Sequence, residues 1–119
     1  MYDISVDRAL RLVRVRIVGL LSPEVAAAYE RDLKWQILNL GGSQKGYFLL
    51  IDLRESQVAS KNDTGNLQKR MQWHVANGLC KSAYIVKSAL HQIQIRRLSP
   101  DDHFNYFVSE EEAMSWLGI

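Results

Sequence analysis

The 119-residue chain has one cysteine, Cys80. A lone cysteine excludes a disulfide framework and a multi-cysteine zinc site within one chain. No apolar run approaches the roughly 18 residues of a membrane-spanning helix. The opening Met1-Tyr2-Asp3-Ile4-Ser5 has no basic stretch followed by an apolar one, so no secretory signal is expected. Neither sign of charge dominates: 15 Lys and Arg stand against 13 Asp and Glu, a net +2. That balance is well short of a dedicated nucleic-acid binder, and no nucleic-acid partner is expected. There is no internal repeat, linker or low-complexity segment. What remains is ordinary globular composition, 47% hydrophobic and 24% charged, at a length suited to one domain over 1–119. The expectation is a soluble, cytoplasmic single domain.

Residues 2–7 and 10–18 read as strands joined by a tight turn near Asp7-Arg8. Val13, Val15 and Ile17 alternate with Arg14 and Arg16, which predicts one packed face and one wet face. Ser22-Pro23-Glu24 carries helix-start chemistry: a capping hydroxyl, a proline for the first position and a carboxylate for the dipole. Val25, Tyr29, Leu33, Ile37 and Leu40 then recur at helical spacing, and Gly41-Gly42 ends the helix. The unbroken run Tyr47 to Leu53 predicts a central strand covered on both faces. A polar stretch from Arg54 to Asn66 reads as a long loop. A helix follows over about 66–77, with Leu67, Met71 and Val75 inward and Asn77-Gly78 as its stop. Ala83–Val86 is a short buried strand. Ser88 caps a helix with Leu90, Ile93 and Arg97/Leu98 on one side, ended by Pro100. Phe104–Val108 is the last strand. Ser109 and Glu112 form a capping box for a final helix with Ala113, Trp116 and Leu117 inward. The order is β-β-α-β-α-β-α-β-α. It implies an α/β fold with a mixed sheet, parallel after the first hairpin, and helices mostly on one face.

In such sheets ligands gather at the carboxyl ends of the parallel strands, where helix N-termini also point. The Leu53–Asn66 stretch belongs to that end and is long for a compact domain. It is either a functional loop or a solvated connection that caps the next helix. Candidate interaction residues are Asp52, Arg54, Ser60, Lys61, Thr64, Gly65 and Leu67.

Other motifs have plainer readings. Gly41–Gly46 follows a helix and precedes a strand, the reverse of a phosphate loop. His74, His91 and His103 lie on different elements without metal-ligand spacing, and read as surface or boundary residues. Cys80 reads as a small buried residue at a strand start. Lys69, Arg70, Lys81, Lys87, His91, Arg96 and Arg97 form at most a solvated basic face. Trp35 and Trp73 fall off the inward helix positions and mark either a contact surface or a broad core face. No nucleophile or acid/base set emerges, so no enzyme, metal or cofactor is expected.

Four segments carry a resemblance across the whole chain. They are Gly19-Leu20-Leu21-Ser22-Pro23-Glu24 entering a long helix, Leu49-Leu50-Ile51-Asp52-Leu53-Arg54, Lys81-Ser82-Ala83-Tyr84-Ile85-Val86, and the ending from Phe107-Val108-Ser109 to Leu117. Their order and spacing resemble the STAS-like, SpoIIAA-like domains, relatives of anti-sigma-factor antagonists, and among them a short bacterial branch. True antagonists carry Asp-Ser-Ser-Gly-Leu at the start of the helix after the central strand, and a partner kinase phosphorylates one serine. The nearest match here is Asp63-Thr64-Gly65-Asn66-Leu67, which makes Thr64 the phospho-acceptor candidate. The resemblance implies a non-enzymatic regulatory domain with a kinase or regulatory protein as partner. The branch shares its fold with lipid carriers of the Sec14 type, so the alternative is a small-molecule domain. Its ligand would be a lipid-like or anionic molecule, or a nucleotide, with Arg54 and Lys61 on the phosphate.

Overall fold

The computed structural model describes residues 1–40, 46–57, 63–89 and 102–119, with the side chains of all of them except 63–68. Five strands form one sheet in the order β1-β2-β3-β4-β5. They are β1 (Tyr2–Asp7), β2 (Leu12–Gly19), β3 (Tyr47–Ser56), β4 (Leu79–Ile85) and β5 (Phe104–Phe107). β1 and β2 form the antiparallel hairpin, and the other neighbours are parallel. The described helices are α1 (Pro23–Asn39), α2 (Asp63–Ala76) and α3 (Glu110–Leu117). The helix expected over Leu90–Leu98, and the Gly41-Gly42 stop, lie outside the described residues.

Parallel neighbours laid down in chain order need crossovers of one hand, which puts the crossover helices on one face. α1 and α2 accordingly cover the face made by Val13, Val15, Leu49, Ile51 and Tyr84. α3 follows the last strand and covers the other face, packing Ala113 and Leu117 on Leu12, Leu50, Ala83 and Ile85. β3 therefore has cover on both sides, with Leu49 at 0% exposure and Leu50 at 2%. Arg14 and Arg16 stay wet, as their alternation predicts. Ser22 caps α1 by accepting from the Val25 amide at 3.3 Å, and Ser109 caps α3 by accepting from the Glu112 amide at 3.3 Å. Val25, placed on the inward stripe by its spacing, is exposed; it sits in the first turn, ahead of the stripe that reaches the core.

Three boundaries move. β3 continues through Arg54, Glu55 and Ser56, because Glu55 and Ser56 pair with Val18 and Gly19 of β2. α2 starts at Asp63 rather than Asn66. The connection between them shrinks to residues 57–62. β4 likewise begins earlier than Ala83, at Leu79.

Arg11 joins three elements at the opposite end of the sheet. Its Nη1 donates to the carbonyl of Leu40, the C-cap of α1, at 2.7 Å, and its Nε donates to the carbonyl of Gly46. Its own carbonyl accepts from the Phe48 amide at 2.8 Å. The residue has φ 53°, a left-handed conformation that is uncommon outside glycine. A cation on orphan carbonyls at a helix C-terminus complements the dipole. Gly46 is itself obligatory: its φ is +74° and an added Cβ would lie 2.5 Å from Cys80 Sγ. Removing the guanidinium strands two carbonyls, so Arg11→Ala should lower unfolding free energy by about 2 kcal/mol. Arg11→Lys should recover part of that. Urea unfolding measures both, and an unchanged midpoint for Arg11→Ala would show that the clamp is idle.

Candidate functional site

The carboxyl ends of β2, β3 and β4 lie along one edge of the sheet, and α1, α2 and α3 all begin there. The Gln57 amide donates to the Gly19 carbonyl at 3.0 Å, tying the exit of β3 to the exit of β2. Thr64, Gly65 and Leu67 belong to the first turns of α2. Ser60 and Lys61 lie outside the described residues.

Asp52 and Arg54 are two apart on β3 and so share the wet face with Arg14 and Arg16. Asp52 accepts from the Arg54 amide at 3.0 Å, from Nε at 3.0 Å and from Nη2 at 2.8 Å. The Arg54 guanidinium, helped by Arg16, holds the Asp52 carboxyl below its usual range. Asp52 is thus a fixed anion rather than a proton carrier. Arg16 pairs with Glu55, and Arg14 with Glu110 at 3.3 Å. Every arginine named on this face has its own carboxylate. Pairs this exposed are each worth at most about 1 kcal/mol, so they order the surface more than they stabilise it. Arg54 is consequently engaged in the chain itself rather than free for a ligand phosphate.

A second feature lies on the helix side. α1 and α2 stand apart over the sheet and leave a cavity of about 120 Å³. Ile17, Ile51, Leu53 and Tyr84 line it from the sheet, Leu33 from α1 and Met71 from α2. Arg70 pairs with Glu30 between the two helices, Nε to Oε1 at 3.2 Å. Lys34 of α1 lies over the Trp73 ring of α2, 5.1 Å from its centroid.

His74 also lines this cavity and is buried, contrary to the surface or boundary position expected for it. The signal was present in the sequence: it stands three residues after Met71, on the same helix face. What the pattern could not supply is its partner. The Tyr47 hydroxyl lies 2.7 Å from His74 Nδ1 and 3.3 Å from the His74 carbonyl. Burial, reinforced by Lys34 and Arg70, lowers the imidazole pKa to about 4. The ring is therefore neutral at pH 7.

The other singled-out residues are also located. Trp35 is exposed, while Trp73 is half-buried with its ring edge-on to His74 at 5.2 Å. Lys81 is not a free cation of a basic face. Its Nζ donates to the Trp116 carbonyl at the end of α3 at 3.0 Å and sits 5.0 Å from that ring. Cys80 is exposed, not buried; adjacent Leu79 takes the inward position at the start of β4. His91, Arg96 and Arg97 lie outside the described residues. No described helix is long and apolar enough to cross a membrane.

His74 makes stability pH-dependent. An unfolded histidine titrates near 6.5 and the folded one near 4, so the unfolded chain takes up the proton first. Its contribution is complete above pH 6.5 and is lost as pH falls towards 4, by up to about 3 kcal/mol. His74→Gln removes the titration. Urea unfolding of both proteins at pH 7 and pH 4.5 should show a smaller acid loss in the variant, and equal losses would acquit His74.

No protein-family model matches this chain, and no curated protein matches it. Solved structures do. One is an uncharacterized DUF3478-family protein with a SpoIIAA-like fold from Shewanella loihica PV-4. It has TM-score 0.69 and 21% identity, over 98% of this chain and 93% of that one. Another is the anti-sigma factor antagonist SpoIIAA in its unphosphorylated form. It has TM-score 0.67 and 13% identity, over 99% of this chain and 98% of that one. At these identities the likeness concerns the path of the chain, and the mixed sheet with its flanking helices has the SpoIIAA-like fold.

Proposed function

We propose that this protein is a non-enzymatic regulatory domain that binds a protein partner at the carboxyl edge of its sheet, around the start of α2. The observation that carries this reading is the start of α2 at Asp63. It brings Thr64 into the first helical turn, a short connection after the central strand. In that position a phosphate would meet the positive end of the helix dipole and add roughly −1.5 to −2 charge beside the partner surface. The likeness to SpoIIAA, an anti-sigma factor antagonist, supports the same reading. So does the wet face: its arginines are matched with carboxylates, which suits shape-based protein contact better than capture of a free anion. Asp52 and Arg54 would order one side of the surface. Ser60, Lys61, Gly65 and Leu67 would contribute contacts around Thr64.

A second reading has one observation in its favour, the apolar cavity between α1 and α2. At about 120 Å³ it is well below the roughly 300–1,000 Å³ of ordinary ligand pockets. A slim apolar chain suits it better than a nucleotide. Native mass spectrometry of protein purified from its source cells would reveal such a passenger.

The lead reading is tested with Thr64→Asp and Thr64→Ala as baits beside the unaltered protein. Thr64→Asp keeps an oxygen at the helix start and adds charge, whereas Thr64→Ala removes the hydroxyl. We expect Thr64→Asp to change recovery of at least one partner about tenfold with little change in melting temperature. We also expect phosphate on Thr64 in protein from source cells. If Thr64 serves only as a helix cap, Thr64→Ala should lose about 1 kcal/mol and both variants should recover the same partners. That result would overturn the switch.

A further inference from the structure

β1 ends the sheet, and among the described residues nothing pairs with its outer side. Which of its backbone groups face outward follows from one bonded pair. Met1 donates to the Val18 carbonyl at 3.0 Å, and the Val18 amide donates back to the Met1 carbonyl at 2.8 Å. Bonded pairs alternate along an antiparallel ladder. The register is unbroken, so Asp3↔Arg16, Ser5↔Arg14 and Asp7↔Leu12 are bonded pairs too. The amides and carbonyls of Tyr2, Ile4 and Val6 therefore point away from β2. Their side chains are half-buried, whereas Asp3, Ser5 and Asp7 are exposed on the wet face.

We infer that this edge pairs antiparallel with β1 of a second copy, about a two-fold axis at Ile4. The backbone and the charges select that register together. Outward groups meet outward groups only if even residues face even residues. Centring on Asp3 would set Asp3 against Asp3 of the second copy. Centring on Ser5 would set Asp3 against Asp7. Centring on Ile4 sets Asp3 against Ser5, a carboxylate against a hydroxyl donor, and leaves no like charges directly opposed. Tyr2 then exchanges backbone bonds with Val6 of the second copy, and Ile4 with its own counterpart. Within Tyr2–Asp7 this centring overlaps as many residues as centring on Ser5, and more than centring on Tyr2, Asp3 or Val6. The apolar row Tyr2, Ile4 and Val6 continues on the same face into the second copy, and the wet face stays wet.

The usual blunting devices are absent from this edge: β1 has no proline, no lysine and no bulge. Its two aspartates take their place. They disfavour the two neighbouring registers, centred on Asp3 and on Ser5, and they discourage other acidic strands. A strand of this length buries less than the roughly 1,200 Å² of a stable interface. The dimer is therefore weak and concentration-dependent.

Sedimentation equilibrium on the full chain tests this. The mass should climb from 13.7 kDa towards twice that value as concentration is raised into the millimolar range. Ser5→Asp sets like charges opposite at both symmetry-related contacts and should weaken association about fivefold. Ser5→Lys sets opposite charges there and should tighten it about fivefold at low salt. Ile4→Pro removes an amide that serves no bond within the sheet, so it should leave the chain monomeric with its circular dichroism intact. A monomer at every concentration would overturn the inference. So would Ser5→Lys weakening association, which would place the axis at Ser5. Ser5→Asp and Ser5→Lys both leaving association unchanged would place the contact elsewhere.

Discussion

The structure depends on the two-sided burial of β3. A strand that must hide both faces cannot sit at an edge, so the chain has to lay elements on either side of it and above and below it. β2 and β4 take the flanks. α1 and α2 cover Leu49 and Ile51, and α3 covers Leu50. Truncating such a residue costs about 2–5 kcal/mol, a large part of a small domain's total stability. The same requirement creates the candidate edge. Parallel crossovers on a central strand bring the exits of β2, β3, β4 and β5 and the starts of α1, α2 and α3 to one side.

The parts of this architecture that are local in origin were legible beforehand. The Val13/Arg14/Val15/Arg16 alternation, the serine caps at Ser22 and Ser109 and the Asn77-Gly78 stop each follow from neighbours a few residues apart. The failures share a different cause. Arg54, Glu55 and Ser56 are polar and resemble a loop, yet they are strand because Val18 and Gly19 lie beside them. His74 is buried because a tyrosine 27 residues earlier offers its hydroxyl. Arg11 falls in the strand expected over 10–18, yet it lies in the turn before β2; its service to Leu40 and Gly46 depends on the ends of elements closed about thirty residues later. Long-range partners, not propensities, decide these positions.

Shortening the connection after β3 alters how the resemblance weighs. With strand to Ser56 and helix from Asp63, the Asp63-Thr64-Gly65 segment comes a few residues after the central strand. A long loop would have argued for a separate ligand clamp; a short one makes the edge a surface defined by the sheet and helix starts. The electrostatics agree. Paired arginines and a carboxylate held below its usual range give a surface that is polar, ordered and close to neutral. On such a surface one added phosphate is a large change in charge.

The contacts between α1 and α2 bear on how a change at the start of α2 would spread. Described rim contacts between the two helices are polar or cation–aromatic: Glu30 with Arg70, and Lys34 over Trp73. Beneath them lies a cavity rather than interlocked side chains. Close-packed interfaces resist sliding because every displacement opens voids or creates clashes. A helix held laterally by a half-buried ion pair and a cation–aromatic contact above a small void meets less of that resistance. Among the described side chains, Met71 and His74 anchor α2 on the sheet, with Trp73 and Val75 packed beside them and the Tyr47 hydroxyl against the imidazole. The C-terminal half of α2 is thus fixed to the sheet through a buried aromatic pair, while the described contacts that hold it sideways against α1 are polar or cation–aromatic.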